Sequence, residues 1–526
     1  MKYLPTIGIE CHVQLSTKTK LFSEVDNDAR GKEPNSCVSP VDYALPGMLP
    51  RLNGEAVKFA VRAGRAMNCE INAESRFDRK HYFYPDSPKG YQITQFYHPI
   101  IGAGFVELPS GTKIRIEHAH LEGDAGKLTH FDTYSLVDLN RVDTPLIEIV
   151  SMPDIHSAKD THDYCKELWR LMRYAKVTYG DLYNGNMRFD VNVSLAPEGS
   201  KELGTRAEVK NLNSFRSVER AVEYEIARQT KLLEAGEKVV QETRGWSDAT
   251  GKTTGQRSKE EAKDYRYMPE PDLPPLNLSH EFIDEQLTEF PLMPTDYRRE
   301  FRDVISGDIL EILLDYPELM EKLAEMASLS SQPEQVLSGD GSREAEMADT
   351  VSQPEQVLSG DGSLQPVVTG EAPSSSVVTS GSSRKNLSLV ANLFTSVLLA
   401  EEKSAEFLNE LPSAEALNTL AEMNAKKELS STATKEVFLR LFDPQMKTRG
   451  VKQIASELGL IQENDLGALE KIVDAVLAKP ETKQAQADFR AGSEKVLGFL
   501  VGQVMKESKG KANPSSVQEI LRQKLA

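Results

Sequence analysis

Ile7-Gly8-Ile9-Glu10-Cys11-His12-Val13-Gln14-Leu15 sets apolar residues at every odd position and Glu10, His12 and Gln14 among the even ones. A β-strand has a side-chain period of two, so these three polar groups share one face, with successive members about 6.6 Å apart. The same pattern recurs downstream. Arg188-Phe189-Asp190-Val191-Asn192-Val193-Ser194-Leu195 displays Arg188, Asp190, Asn192 and Ser194, and Thr205–Lys210 displays Arg206, Glu208 and Lys210. Leu146-Ile147-Glu148-Ile149 offers Glu148 on the same principle. Alternation of this kind belongs to a sheet with one face in the core and one face open, which is the habit of antiparallel strands.

An open face can simply meet water. Water-facing strands, however, mostly carry Thr, Lys and Arg, whereas Asp, Asn, Glu and His recur here. Several carboxylates with one imidazole suit a hard divalent cation, which takes oxygen ligands and tolerates a nitrogen. Arg188, Arg206 and Lys210, interleaved with them, suit the phosphates that accompany magnesium. No Walker A sequence and no G-x-G-x-x-G turn is present to cradle those phosphates by other means. G-x-S-x-G and Ser-Ser-Lys amidase patterns are also missing, so if the system hydrolyses an amide, that chemistry lies on another chain.

Around these strands the first 275 residues or so read as mixed α and β. Tyr164, Leu168, Leu171, Met172 and Ala175 share a helical face after a cap at Ser157, and Val218, Val222, Ile226 and Leu233 share another, closed by Gly236. KNLNSF (Lys210–Phe215) reads as a hydrogen-bonding turn before the second helix. Pro274, Pro275, Pro291 and Pro294 mark an exit into helical sequence over Tyr297–Ala327 and Leu387–Glu410. Residues 329–384 differ in kind: SQPEQVLSGDGS occurs at Ser331 and again at Ser352, followed by a Ser/Thr/Val-rich run. With so little apolar surface, the segment reads as a flexible insertion. From Ala414 the chain is helical again, and Asn513 caps a last helix with Pro514 at its first position. Lys506, Lys509 and Lys511 lie just before it, in a loop that suits a phosphate backbone as well as it suits plain solvent. The fold class is therefore α+β, a mixed or antiparallel sheet domain followed by an all-helical domain and a small helical tail domain, with expected bounds 1–294, 295–413 and 414–526.

The chain has 526 residues, 39% hydrophobic and 27% charged, as expected of a multidomain globular protein. No run of about 18 apolar residues suggests a membrane span, and the N-terminus resembles neither a signal nor a transit peptide, so the cytoplasm is the expected location. Four scattered cysteines form no C-x2-C pair, which argues against a zinc ribbon or a disulfide framework. Cys11, beside His12, reads as a small buried apolar residue. A formal net charge of −18 excludes a protein that grips nucleic acid by overall charge. Any RNA must be held by a local basic surface and by shape.

IGIECHVQL, KLFS, FDRKHYFYPDSPKGYQIT, LEGDAGK, LVDLNR, TPLIEIVS, KNLNSF, QETRGW and DYRYMPEPDLPP, with FLVGQVMKESKGKANPSSV near the end, closely resemble the B-subunit family of glutamyl/aspartyl-tRNA amidotransferases. The resemblance covers nearly the whole chain apart from 329–384. It implies a cradle-like catalytic domain, a helical domain and a tail contacting tRNA through Lys506, Lys509 and Lys511. It implies ATP and Mg2+ as cofactors, a glutaminase A subunit that supplies ammonia, a small C subunit that clamps A to B, and a mischarged tRNA as substrate. It places metal ligands at Glu10, His12, Glu122, Asp190 and Glu208, and lysines near the phosphates and the ammonia exit at Lys80 and Lys89. The chain departs from the resembled pattern at Gly123, where a second glutamate is usual, at Asp143, where glycine is usual, and at Gly245, where arginine is. A ligand is thus missing at 123, or Glu122, Asp124 or water replaces it. Two rival readings stand beside this one: a tRNA-binding scaffold with a decayed site, and a free-standing metal-dependent hydrolase using Glu10, His12 and Asp190.

Overall fold

The alternating strands assemble as their pattern requires. In the computed structural model of the chain, which describes residues 2–258, 265–329, 381–446, 448–462, 466–508 and 512–525, the N-terminal strand Tyr3–Gln14 lies near the middle of an eight-stranded sheet. Along it, Ile7, Ile9, Cys11 and Val13 are buried while Glu10, His12 and Gln14 are only half-buried. Its antiparallel neighbours are Met187–Pro197 on one side and Pro145–Ser151 on the other. Lys113–Gly123 and Gly104–Glu107 continue the sheet beyond the latter. Ala207–Leu212, Glu242–Ser247 and Lys252–Ser258 continue it beyond the former, with one parallel pairing between the first two.

Two helices cover the apolar face. Ala158–Tyr174 is capped by the Ser157 hydroxyl, which accepts the Asp160 N–H, and Phe215–Glu234 is capped in the same way by Ser214. Gly236 follows the second helix at φ 75°, a left-handed position where glycine avoids the Cβ penalty. Phe215 meets Phe189 of the sheet and Trp169 of the other helix at ring separations of 6.1 and 5.8 Å. With this face sealed, the polar residues of the same strands are left on the opposite face.

The chain divides into two compact units, Met1–Tyr297 and Arg298–Ala526. Within the second, helices Pro317–Leu329, Gly381–Leu393 and Ala414–Ala425 bury Leu323, Val390 and Leu417. The last helices form a cluster of their own around Leu469, Val473, Leu500, Val517 and Leu521. Asn513 caps the final helix through the N–H of Ser515.

Three sequence expectations change at their edges. KNLNSF is not a turn throughout: the strand runs on to Leu212, which pairs with Phe189, and only Asn213 and Ser214 intervene before the helix. Arg206 precedes the strand that begins at Ala207. The segment 329–384 lies almost wholly outside the described residues, but Leu329 closes one helix and Gly381–Arg384 open the next. The four cysteines are free, as their spacing implied.

Leu168 is fully buried beneath the sheet. Leu168→Ala should destabilise the first unit by about 2–5 kcal/mol, the usual cost of such a cavity. Both tryptophans of the chain, Trp169 and Trp246, belong to this unit, so urea unfolding followed by their fluorescence isolates it. An unchanged midpoint would contradict the packing described.

Candidate active site

Strand register decides which polar residues meet. Glu10 faces Asp190 across one seam, and His12 stands between Arg188 on one side and Glu148 on the other. Glu148 in turn faces His120 of the next strand, one residue pair from Glu122. Asn192 faces Glu208. The outcome is two clusters side by side, His12–Glu122–Glu148 and Glu10–Asp190–Glu208, each with donor atoms within 4.8 Å of one another.

The expected ligands are therefore all on this face, though divided between two groups. Glu148 completes the first, and only its place in an alternating strand signalled it. His120 is the residue the sequence reading missed. It is buried, stacked on His118 at 5.6 Å, with its Nε2 3.7 Å from Glu148.

Cations are threaded through both clusters. His12 Nε2 lies 3.4 Å from Glu122 and 3.3 Å from Glu148. Burial works against its charge, yet hydrogen bonds to these two carboxylates overcome that and raise its pKa to about 10. The Lys80 ammonium is also held charged against burial by Glu122 and Glu148. Burial opposes the Glu148 carboxylate too, but His120 and His12 keep it well below the usual range. Lys210 reaches 2.8 Å from Asp190 and 3.4 Å from Glu208, and these carboxylates hold it charged against burial. Asp124 pairs with Arg188 at 3.2 Å and with Arg141 at 3.1 Å.

His12, Lys80, Glu122, Asp124, Arg188, Asp190 and Lys210 line one cavity of about 590 Å³. Arg206 is not among them; it borders a neighbouring cavity of about 520 Å³ with Glu10, Asn192 and Ser194. Lys89 lies behind the first cavity in an ion pair with Asp143 and is nearly buried. Of the DYRY segment, Tyr267 stacks on Phe96 at 4.0 Å and Tyr265 takes the Lys80 ammonium over its ring at 5.1 Å, while Asp264 is outside the described residues. Cys11 is fully buried, and burial pushes its thiol far above the range of a nucleophile. In the tail, Lys506 lies in helix Leu497–Glu507; Lys509 and Lys511 are outside the described residues.

Both donor sets suit a divalent cation: the first gives one imidazole nitrogen and two carboxylates, the second carboxylates alone. Lys80, Arg188 and Lys210 border them on the wall of the first cavity. Residues 5–284 match the GatB/GatE catalytic domain family, and residues 376–525 match the GatB domain family. The chain is 39% identical to the B subunit of the aspartyl/glutamyl-tRNA(Asn/Gln) amidotransferase of Persephonella marina and 40% identical to that of Geotalea uraniireducens, covering all of both chains in each case. The corresponding Nitrosococcus oceani protein is 39% identical over the same full coverage. The chain belongs to the family of aspartyl/glutamyl-tRNA(Asn/Gln) amidotransferase B subunits.

His12 carries its proton at neutral pH, whereas a metal ligand must be the neutral imidazole. Raising the pH toward 10 therefore removes a competitor. Apparent Mn2+ affinity of the purified chain should rise as pH goes from about 6 to about 8, by up to about tenfold per unit, with release of about one proton. Calorimetry in buffers of different ionisation enthalpy counts that proton. A His12→Ala variant with the same pH dependence and the same proton release would remove His12 from the ligand set.

Proposed function

We propose that this chain performs the ATP-dependent step of tRNA amidation: it phosphorylates the side-chain carboxylate of Glu-tRNA(Gln) or Asp-tRNA(Asn), and ammonia then displaces the phosphate. The observation that carries the reading is the pair of acidic clusters on one sheet face, threaded by Lys80 and Lys210, with His12, Glu122 and Asp190 on the wall of one cavity and Glu10 on the wall of its neighbour. A carboxylate is a poor acyl electrophile. When one of its oxygens takes the γ-phosphoryl group, ADP leaves, and the acyl carbon gains a leaving group that ammonia can expel as phosphate with loss of a proton. Such transfer needs neutralised charge and in-line placement more than covalent help.

Glu10, Asp190 and Glu208, and His12, Glu122 and Glu148, would hold Mg2+, which when bound neutralises the phosphates and polarises the phosphorus. Arg188 and Lys210 reach the phosphate oxygens from the cavity wall, with Arg206 at its neighbour. Lys80, kept charged between Glu122 and Glu148, is placed to steady the negative charge that builds on the acyl oxygens. Ammonia arrives from a glutaminase A subunit, with a small C subunit joining the two, in the cytoplasm. Among the described residues no helix is long and apolar enough to cross a membrane. The chain divides its labour between the sheet domain and the helical sequence that follows it, whose last helices contact the tRNA.

The test uses the complex with its A and C subunits. ATP cleavage should be stimulated by the charged tRNA, and His12→Ala should lower it by about 10²–10³-fold, the scale of losing a charge-stabilising group. Tight tRNA binding without turnover by the wild type would instead leave a scaffold. Turnover by the isolated chain, indifferent to tRNA, would favour a hydrolase.

The tail makes a separate prediction. Replacing Lys506, Lys509 and Lys511 by Ala should weaken tRNA binding and flatten its salt dependence by about 0.7–0.9 per lost phosphate contact. Filter binding over a salt series measures this; an unaltered slope would free the tail of that role.

A further inference from the structure

Gly123 ends the strand that carries Glu122, and it abuts an unusual residue. A Cβ placed on it would lie 2.6 Å from Oδ1 of Asp143 and 3.2 Å from the Asp143 Cα. The first distance is close to the separation of Cβ and a carboxylate oxygen inside an aspartate itself. Asp143 thus presents one carboxylate oxygen within the reach of an aspartate side chain at 123. It does so from a turn, at φ 58°, a left-handed conformation that favours glycine. The chain therefore combines a glycine where a Cβ would collide with Asp143 and a side chain where the backbone favours glycine.

The carboxylate so delivered is fully engaged. Asp143 is 2% exposed and forms an ion pair with Lys89. A second buried pair, Lys20–Asp42, stands nearby at 3.2 Å. The turn is fixed to the site by backbone bonds from Asp143 N–H to the Asp124 carbonyl and from Asp124 N–H to the Thr144 carbonyl, at 2.9 and 3.0 Å. The carbonyl of Gly123 accepts from Gln92, a lining residue of the cavity, at 2.9 Å. Loss of the Asp143 charge leaves the nearly buried Lys89 without its carboxylate.

We propose that Asp143 is a positioning residue for the amidation site, holding Lys89 in place of an acidic side chain at 123, and that positions 123 and 143 are a coupled, interchangeable pair. The carboxylate can come from either position but not from both, because the two would occupy one space. This rests on the function proposed above for the activity readout, and on geometry alone for the stability readout.

The experiment is a cycle of Asp143→Gly, Gly123→Asp and the double exchange, with Asp143→Asn as a variant that keeps shape and removes charge. The melting temperature of the full chain is measured alongside amidation by the three-subunit complex with ammonium chloride as nitrogen donor. Both single exchanges should melt lower than wild type, and the double exchange should recover most of the loss. Asp143→Gly and Asp143→Asn should each lose about tenfold or more in kcat/KM, equivalent to about 1.4 kcal/mol of barrier, and the double exchange should return to within about threefold of wild type. A double exchange no better than Asp143→Gly in both readouts, or an Asp143→Asn variant as active as wild type, would overturn the inference. An inactive wild-type complex would sink the proposed function instead, and the melting cycle would still decide whether the two positions are interchangeable.

Discussion

Five carboxylates, those of Glu10, Glu122, Glu148, Asp190 and Glu208, crowd one face of one sheet, and their mutual repulsion must be cancelled before anything else about this site can exist. The cancellation is local. The His12 imidazolium sits between two of them, Lys210 between two others, and the Lys80 ammonium next to the first pair. Carboxylates removed from water, without such partners, would be protonated or would open the strands to solvent. Interleaved cations let the sheet hold them charged and close-packed. The architecture serves this condition: two capped helices seal one face, so every apolar residue of the alternation is satisfied there and every polar one is obliged to meet its neighbours.

Much of this was legible because period two is unambiguous. Once Glu10, His12 and Gln14 share a face, any antiparallel partner with the same pattern must bring its own polar residues to that face, as Arg188–Ser194 does. What alternation cannot give is register, the quantity that decides which residues touch. A slip of two residues would keep every side chain on its face and pair Glu10 with Arg188 or Asn192 instead of Asp190. For that reason one expected ligand set became two, Glu148 gained a place beside His12, and Arg206 fell to the adjoining cavity. His120 was hidden for a further reason. Its strand, Lys113–Gly123, alternates in two halves, Lys113–Glu117 and His118–Glu122, and a register shift between Ile116 and His118 puts them out of phase, so only the second half belongs to the pattern of the site face.

The helical part was readable differently. Caps at Ser157, Ser214 and Asn513 and the glycine after Glu234 are short-range signals, satisfied within a turn of the backbone. The KNLNSF stretch misled because its residues hydrogen-bond equally well in a turn or along a strand, and long-range pairing of Leu212 with Phe189 settled the choice. Local chemistry fixes where helices start; pairing partners fix where strands stop.

The interleaved cations also bear on how each cluster would take up a cation. At neutral pH the first cluster, with two carboxylates, is balanced by the His12 proton and by Lys80, while in the second Lys210 opposes three carboxylates. The second cluster holds no imidazole, so a cation entering it would have no imidazole proton to displace first. The first cluster can accept a cation only as His12 gives up its proton, an exchange governed by pH. The two clusters thus differ in their dependence on pH, because one strand carries a carboxylate at position 10 and a protonated imidazole two residues on.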